Sequence, residues 1–325
     1  MIFRTNGRVS GQVLLCGAAN GKACGERGSP SFGRVHSCFS VSCLPVRPGL
    51  GNCRLAGKAQ TLKPYKDDLF SYAKVLGQED GGDDLTIDYQ ELRDINERDE
   101  IPERRVKRAY VSLGVKNEQA NETLDIGGRA LDVTRVGPDR GAGFSVIFIH
   151  GRGGDRRLGA NDFSFGGNFN RLKNLAVANG GVYYAPSVRS FDTAGAADIA
   201  GLVRYASERS GGRPVVLACA SMGSFICWGV SRDASAVAAL SGMMVMGGVS
   251  DPDFTKSAAY KAKLPMFFSH GSRDSVYPAE GQKALYRSLK AKGYPTRFVL
   301  FETGSHGTPV RMTDWRDALN WIGSR

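Results

Sequence analysis

The chain has 325 residues, 42% of them hydrophobic and 23% charged, a globular composition long enough for one large core. The formal charge of +11 would suit nucleic acid or a membrane surface, but residues 1–66 hold ten Lys/Arg against Glu26 alone, so the rest of the chain carries only +2. That nearly neutral body makes no electrostatic case for nucleic acid.

Residues 1–60 are rich in Gly, Ser, Cys and Arg, poor in acids and without sustained periodicity. They read as a disordered or targeting leader outside the folded unit, with residues 61–325 forming the domain. The apolar run at 13–19, behind Arg4 and Arg8, is barely long enough for the core of a signal peptide and hints at export. No run approaches the roughly 18 apolar residues of a membrane span. Five of the seven cysteines lie in the first 53 residues at irregular spacing, neither a zinc pattern nor an even disulfide framework. The other two, Cys219 and Cys227, fall in the expected core and read as buried thiols.

From 66 to 76, Leu69, Phe70, Tyr72, Val75 and Leu76 suit a short packing helix, broken at 81–84. Residues 91–108, with six acids and six bases, suggest a solvated surface helix or tether. The pattern then changes. Residues 123–126 and 130–136, split by Gly127-Gly128, predict an antiparallel hairpin, and short apolar strands are expected at 145–150, 182–185, 215–218, 265–269 and 297–302. Between them Ile199, Leu202, Val203 and Ala206 recur at helical spacing, as do Trp315, Ala318, Leu319 and Ile322 behind Thr313 as N-cap. Such alternation implies a mainly parallel twisted sheet covered by helices on both faces.

Chemistry concentrates where such strands end. Ser221 lies in Cys219-Ala220-Ser221-Met222-Gly223, between the apolar runs 215–218 and 225–230. A hydroxyl placed there suits the sharp strand-to-helix turn called a nucleophile elbow, with Cys219 in place of the usual first glycine. Asp274 follows the strand 265–269 within His270-Gly271-Ser272-Arg273-Asp274, and His306 follows 297–302 within Gly304-Ser305-His306-Gly307. The chain order Ser, Asp, His completes the pattern.

On these motifs, together with His150-Gly151 and its glycine loop, the chain from about 120 to 325 resembles the α/β-hydrolase superfamily, closest to serine esterases of the phospholipase/carboxylesterase type. The resemblance implies an α/β-hydrolase fold without a large lid domain, and no metal or organic cofactor. It implies Ser221 as nucleophile, His306 as base and Asp274 as the orienting acid, with Asp251 or Asp253 as alternatives for the acid. The oxyanion hole would come from the backbone N–H groups of Met222 and Arg152. His150 and His270 take structural places in the same pattern.

Arg152, Arg156 and Arg157 crowd the oxyanion loop and suit an anionic substrate, or simply solvent. Phe163, Phe165 and Phe169 offer an acyl-pocket wall or ordinary packing against the sheet. The expected function is that of a serine hydrolase acting on a small-molecule carboxylic, thio- or phospholipid ester. A peptidase of the oligopeptidase type and a non-catalytic binding protein on the same fold are the alternatives.

Overall fold

A computed structural model describes residues 61–325; the expectations for a leader and an export signal in 1–60 lie outside them. The strands are β1 (Val75–Glu79), β2 (Asp84–Asp88), β3 (Asp99–Glu100), β4 (Arg105–Val106), β5 (Gln119–Ile126), β6 (Arg129–Val136), β7 (Ser145–Ile149), β8 (Val182–Pro186), β9 (Val215–Ala220), β10 (Leu240–Met246), β11 (Met266–Gly271) and β12 (Thr296–Glu302). The helices are α1 (Asp67–Phe70), α2 (Arg156–Ala160), α3 (Asn168–Ala178), α4 (Thr193–Arg209), α5 (Ser224–Val230), α6 (Ala234–Ala239), α7 (Ala258–Lys261), α8 (Ala279–Lys290), α9 (Thr308–Met312) and α10 (Trp315–Gly323).

Ten strands form one sheet in the order β1-β2-β12-β11-β10-β9-β7-β8-β6-β5. All neighbours from β2 to β8 run parallel, and β1, β6 and β5 are antiparallel to theirs. The central strands are apolar throughout because alternate residues enter two different cores. Ile147, Leu217, Cys219, Val245 and Phe268 meet α4, α5 and α8 on one face; Val146, Phe148, Ala218, Met244 and Phe267 meet α3 and α10 on the other. Both helical stripes expected from the sequence are buried, Ile199 to Ala206 on α4 and Trp315 to Ile322 on α10. Truncating a fully buried member such as Ile199 to Ala would cost about 2–5 kcal/mol.

Connections between the parallel strands hold one to three short or single helices, so no separate lid domain is built among the described residues. No helix among them is long and apolar enough to cross a membrane.

Several local expectations are corrected. Only Asp67–Phe70 of the 66–76 stretch is helical; β1 and β2 instead form a hairpin that adds to the sheet edge beside β12. The glycines at 81 and 82, read as a helix breaker, are its turn, and both have positive φ. The segment 91–108 is not a solvated helix: a five-residue turn, Leu92–Asn96, leads into the β3–β4 ladder, with Asp94, Arg98 and Asp99 buried. Strand β10 was not anticipated, because its methionines and the preceding alanines favour helix locally and pairing with β9 and β11 overrides that preference. The N-cap of α10 is Asp314, whose carboxylate accepts from the N–H groups of Arg316 and Asp317. The Thr313 hydroxyl donates back to the Pro309 carbonyl instead.

Candidate active site

Three strands deliver three side chains to one rim of the sheet. β9 ends at Ala220, and Ser221 opens the tight turn into α5 with φ at 53°, a left-handed conformation that costs a non-glycine residue about 1–3 kcal/mol. The space allows only a small residue two positions on. A Cβ on Gly223 would stand 2.7 Å from the His150 carbonyl oxygen and 3.0 Å from that of Ile149, both fixed backbone.

Cys219 and Cys227 are joined by a disulfide, correcting the expectation of free thiols. The bond ties the last turn of β9 to the first turns of α5 across the serine. The position that holds glycine in the usual pattern is filled here by a half-cystine, fully buried.

The Ser221 Oγ donates to His306 Nε2 at 2.8 Å, and His306 Nδ1 donates to Asp274 Oδ2 at 2.7 Å. Asp274 is held from the other side, where Oδ1 accepts the N–H groups of Val276 and Tyr277 at 2.8 and 3.0 Å. Its side chain has no exposure, whereas the His306 ring keeps 27%. The carboxylate thus meets the histidine and two backbone donors in a dry site, and the ring stays reachable from solvent. Neither alternative acid takes this place: Asp251 pairs with Arg232 at 2.7 Å and Asp253 with Lys256 at 2.7 Å.

The glycine loop after β7 lies directly over the serine. A Cβ on Gly151 would fall 2.9 Å from the Ser221 Cβ and 3.2 Å from its Oγ, so only bare backbone fits. His150 anchors that loop. Its Nδ1 donates to the Gly151 carbonyl at 2.8 Å, and its Nε2 accepts the Val188 N–H at 2.9 Å. Burial lowers the pKa of this imidazole, in keeping with a neutral ring that accepts at one nitrogen. His270 is buried as well; its Nε2 donates to the Tyr277 carbonyl at 2.7 Å and lies 3.2 Å from Asp274 Oδ2. Met222 follows the serine at the start of the turn, where N–H groups lack acceptors within the helix. Arg152 follows Gly151 and is exposed.

The candidate substrate contacts diverge. Phe165 reaches the histidine loop, 3.6 Å from where a Gly307 Cβ would stand, and packs edge-on against Phe169. Phe163 stacks instead under the Arg105 guanidinium at 3.8 Å. Arg156 turns toward the Glu122 carbonyl at 3.4 Å, and Arg157 pairs with Asp155. Sequence reasoning missed Gly247, where a Cβ would stand 3.5 Å from Asp274 Oδ2 and 3.3 Å from the His306 carbonyl. It also missed the edge-on contact of Tyr277 with the His306 ring, at 5.7 Å. The Gly247-Gly248 pair closing an apolar run was the available signal for the first.

No protein-family model and no curated protein matches the sequence. Among solved structures, a thermostable esterase superposes with a TM-score of 0.52 at 17% identity, over 64% of this chain and 63% of that one. The fold is that of the α/β-hydrolases. This chain therefore spans about 63% of the length of that esterase. An α/β serine hydrolase without a lid from Xanthomonas campestris matches with a TM-score of 0.46 at 19% identity, over 63% of this chain and 93% of that one. A thermophilic esterase from Thermogutta terrifontis matches with 0.43 at 15%, over 63% and 99%. At these identities the likeness is one of fold.

Proposed function

We propose that this α/β-hydrolase-fold protein is a serine hydrolase that cleaves carboxylic esters through an acyl-enzyme. The observation that carries the reading is the continuous hydrogen-bond chain from Ser221 Oγ through His306 to Asp274, at 2.8 and 2.7 Å.

A serine hydroxyl is a weak nucleophile until a neighbouring base takes its proton. His306 Nε2 accepts that proton as Oγ attacks the ester carbonyl, and the resulting imidazolium is stabilised by the Asp274 carboxylate. The same proton then passes to the departing alkoxide, which leaves as an alcohol. Water enters, loses a proton to His306 and attacks the acyl-serine, and the imidazolium returns the proton to Ser221 as the acid is released. The negative oxygen formed in each half faces the N–H groups of Met222 and Arg152, each worth roughly 10² to 10³ in rate where such a donor is deleted. Tight approach of Gly151 to Ser221 supports placing that pair of donors beside the reacting carbon.

A fluorophosphonate probe tests the reading. It should label the wild-type protein at one site per chain and spare Ser221→Ala, while Asp274→Asn should lose about 10⁴ in turnover of a p-nitrophenyl ester. A folded wild-type sample that takes no label would overturn the assignment in favour of a non-catalytic binding protein. A panel of p-nitrophenyl esters of rising chain length, a thioester, a lysophospholipid and a dipeptide amide would then resolve the ester class from peptidase activity.

A further inference from the structure

The segment before the hydrolase-like strands crosses to the histidine loop and grips it on both sides of His306. Three residues upstream, the Thr303 hydroxyl donates to the Tyr89 carbonyl at 3.0 Å. Thr303 itself has φ at 63°, so the loop leaves β12 in a left-handed conformation that needs outside support. Five residues downstream, Arg311 on α9 forms a buried ion pair with Asp99 on β3, and its Nη1 donates to the Asp94 carbonyl at 2.8 Å. Both partners are nearly inaccessible, Arg311 at 7% and Asp99 at 2%. The neighbouring Arg98 adds a second tie: its Nη2 donates to the Gly166 carbonyl at 3.2 Å, and its Nη1 reaches the Met312 sulfur at 3.5 Å.

Burying a guanidinium and a carboxylate is expensive, and simple packing would be served as well by apolar residues. What the pair adds is direction, because a forked donor fixes both distance and angle to its acceptor. The sheet holds the loop from a third side, where the Arg273 N–H donates to the Gly304 carbonyl at 2.8 Å. Two further bonds from outside reach the same stretch, the Thr303 N–H to Ser272 Oγ at 2.7 Å and the Asn168 amide to the Val310 carbonyl at 2.9 Å, while Ser305 N–H to Thr308 Oγ1 is local.

We propose that Asp99 and the Tyr89 carbonyl are positioning elements for the general base: the segment 89–99 sets where the His306 imidazole sits relative to Ser221 and Asp274. The kinetic part of this rests on His306 acting as the base. A displacement of about 1 Å at such a group can cost roughly 10² in rate.

The test uses the full chain carrying Asp99→Asn, Thr303→Ala or Thr303→Ser, alongside wild type. Carbethoxylation of His306 by diethyl pyrocarbonate, followed by mass on the tryptic peptide spanning 298–311, reads the position of the ring without any turnover. Asp99→Asn and Thr303→Ala should modify faster than wild type, by about threefold or more, with Thr303→Ser restored to the wild-type rate. In parallel, kcat for a small p-nitrophenyl ester should fall about tenfold or more in Asp99→Asn with KM within about threefold, the split expected of a displaced base. Fluorophosphonate labelling should slow yet still reach completion, whereas partial unfolding would lower its end point. Wild-type modification and turnover in a folded Asp99→Asn protein would overturn the proposal. If that variant does not fold, the threonine pair decides, and Thr303→Ala behaving like Thr303→Ser overturns it. A wild-type protein without esterase activity would sink the proposed function alone, since the modification rates would still decide the placement of His306.

Discussion

At the scale of single residues, two glycines set the geometry around Ser221, and they differ in what a side chain would meet. Beside Gly223 the obstacle is the fixed backbone of His150 and Ile149, so Gly223→Ala should lower the yield of folded protein outright. Beside Gly151 the nearest obstacle is the Ser221 Cβ at 2.9 Å, fixed to its own backbone, with the Ala220 carbonyl at 3.4 Å behind it. Gly151→Ala should therefore push the loop and the elbow apart, lowering Tm and losing about 10² or more in kcat, as for a lost oxyanion donor, which stopped-flow ester hydrolysis and a thermal melt would read together. The three residues of the hydrogen-bonded chain were legible in the sequence because each follows an apolar strand and because their order is characteristic. Asp99 and Arg311 were not. A balanced run of acids and bases reads as a solvated face, and nothing local reveals that one of those acids is buried against a partner 212 positions away.

At the scale of elements, the unanticipated β1–β2 hairpin is joined to the end of the chain through Asp83. Its carboxylate receives Lys290 at 2.6 Å, the Trp321 indole N–H at 2.8 Å and Arg325 at 3.1 Å. Burial alone would raise the pKa of this acid, but the Lys290 and Trp321 hydrogen bonds and the Arg325 charge together pull it below its ordinary value. A carboxyl depressed in the folded state contributes stability that is fully present above the unfolded pKa of about 3.9 and is lost as pH falls through the lower, folded value. Asp83→Asn should accordingly lower the urea midpoint at pH 7 and lose less of it between pH 5 and pH 3 than wild type does. An equal loss across that interval would show that Asp83 titrates normally. The hairpin escaped sequence reading for a physical reason. Its inward residues Leu85 and Ile87 do alternate with polar ones, but Asp84, Thr86 and Asp88 share their composition with the turn before them, and only pairing with β12 extends them.

At the scale of the whole molecule, the seven parallel strands from β2 to β8 in the sheet order include one strand, β2, that precedes the residues from about 120 onward carrying the sequence motifs. Edge and histidine loop both depend on residues before 119, and Leu62 is already tied to α10 through its N–H to Asn320 and its carbonyl from Arg316. A chain beginning at Thr61 is therefore expected to fold and hydrolyse esters, whereas one beginning at Gln119 should be insoluble or inactive; size-exclusion chromatography and an ester assay on both would check this. The alternation of apolar strands with amphipathic helices carried the layered architecture from the sequence, while the outer strand and its crossing segment emerge only from tertiary contact. The bridge between Cys219 and Cys227 has a consequence for how the molecule comes into being. A newly synthesised chain carries two thiols there, and closing them removes two electrons that some acceptor must take up. Assembly of the elbow thus includes an oxidation, and in surroundings that keep thiols reduced the pair would stay open.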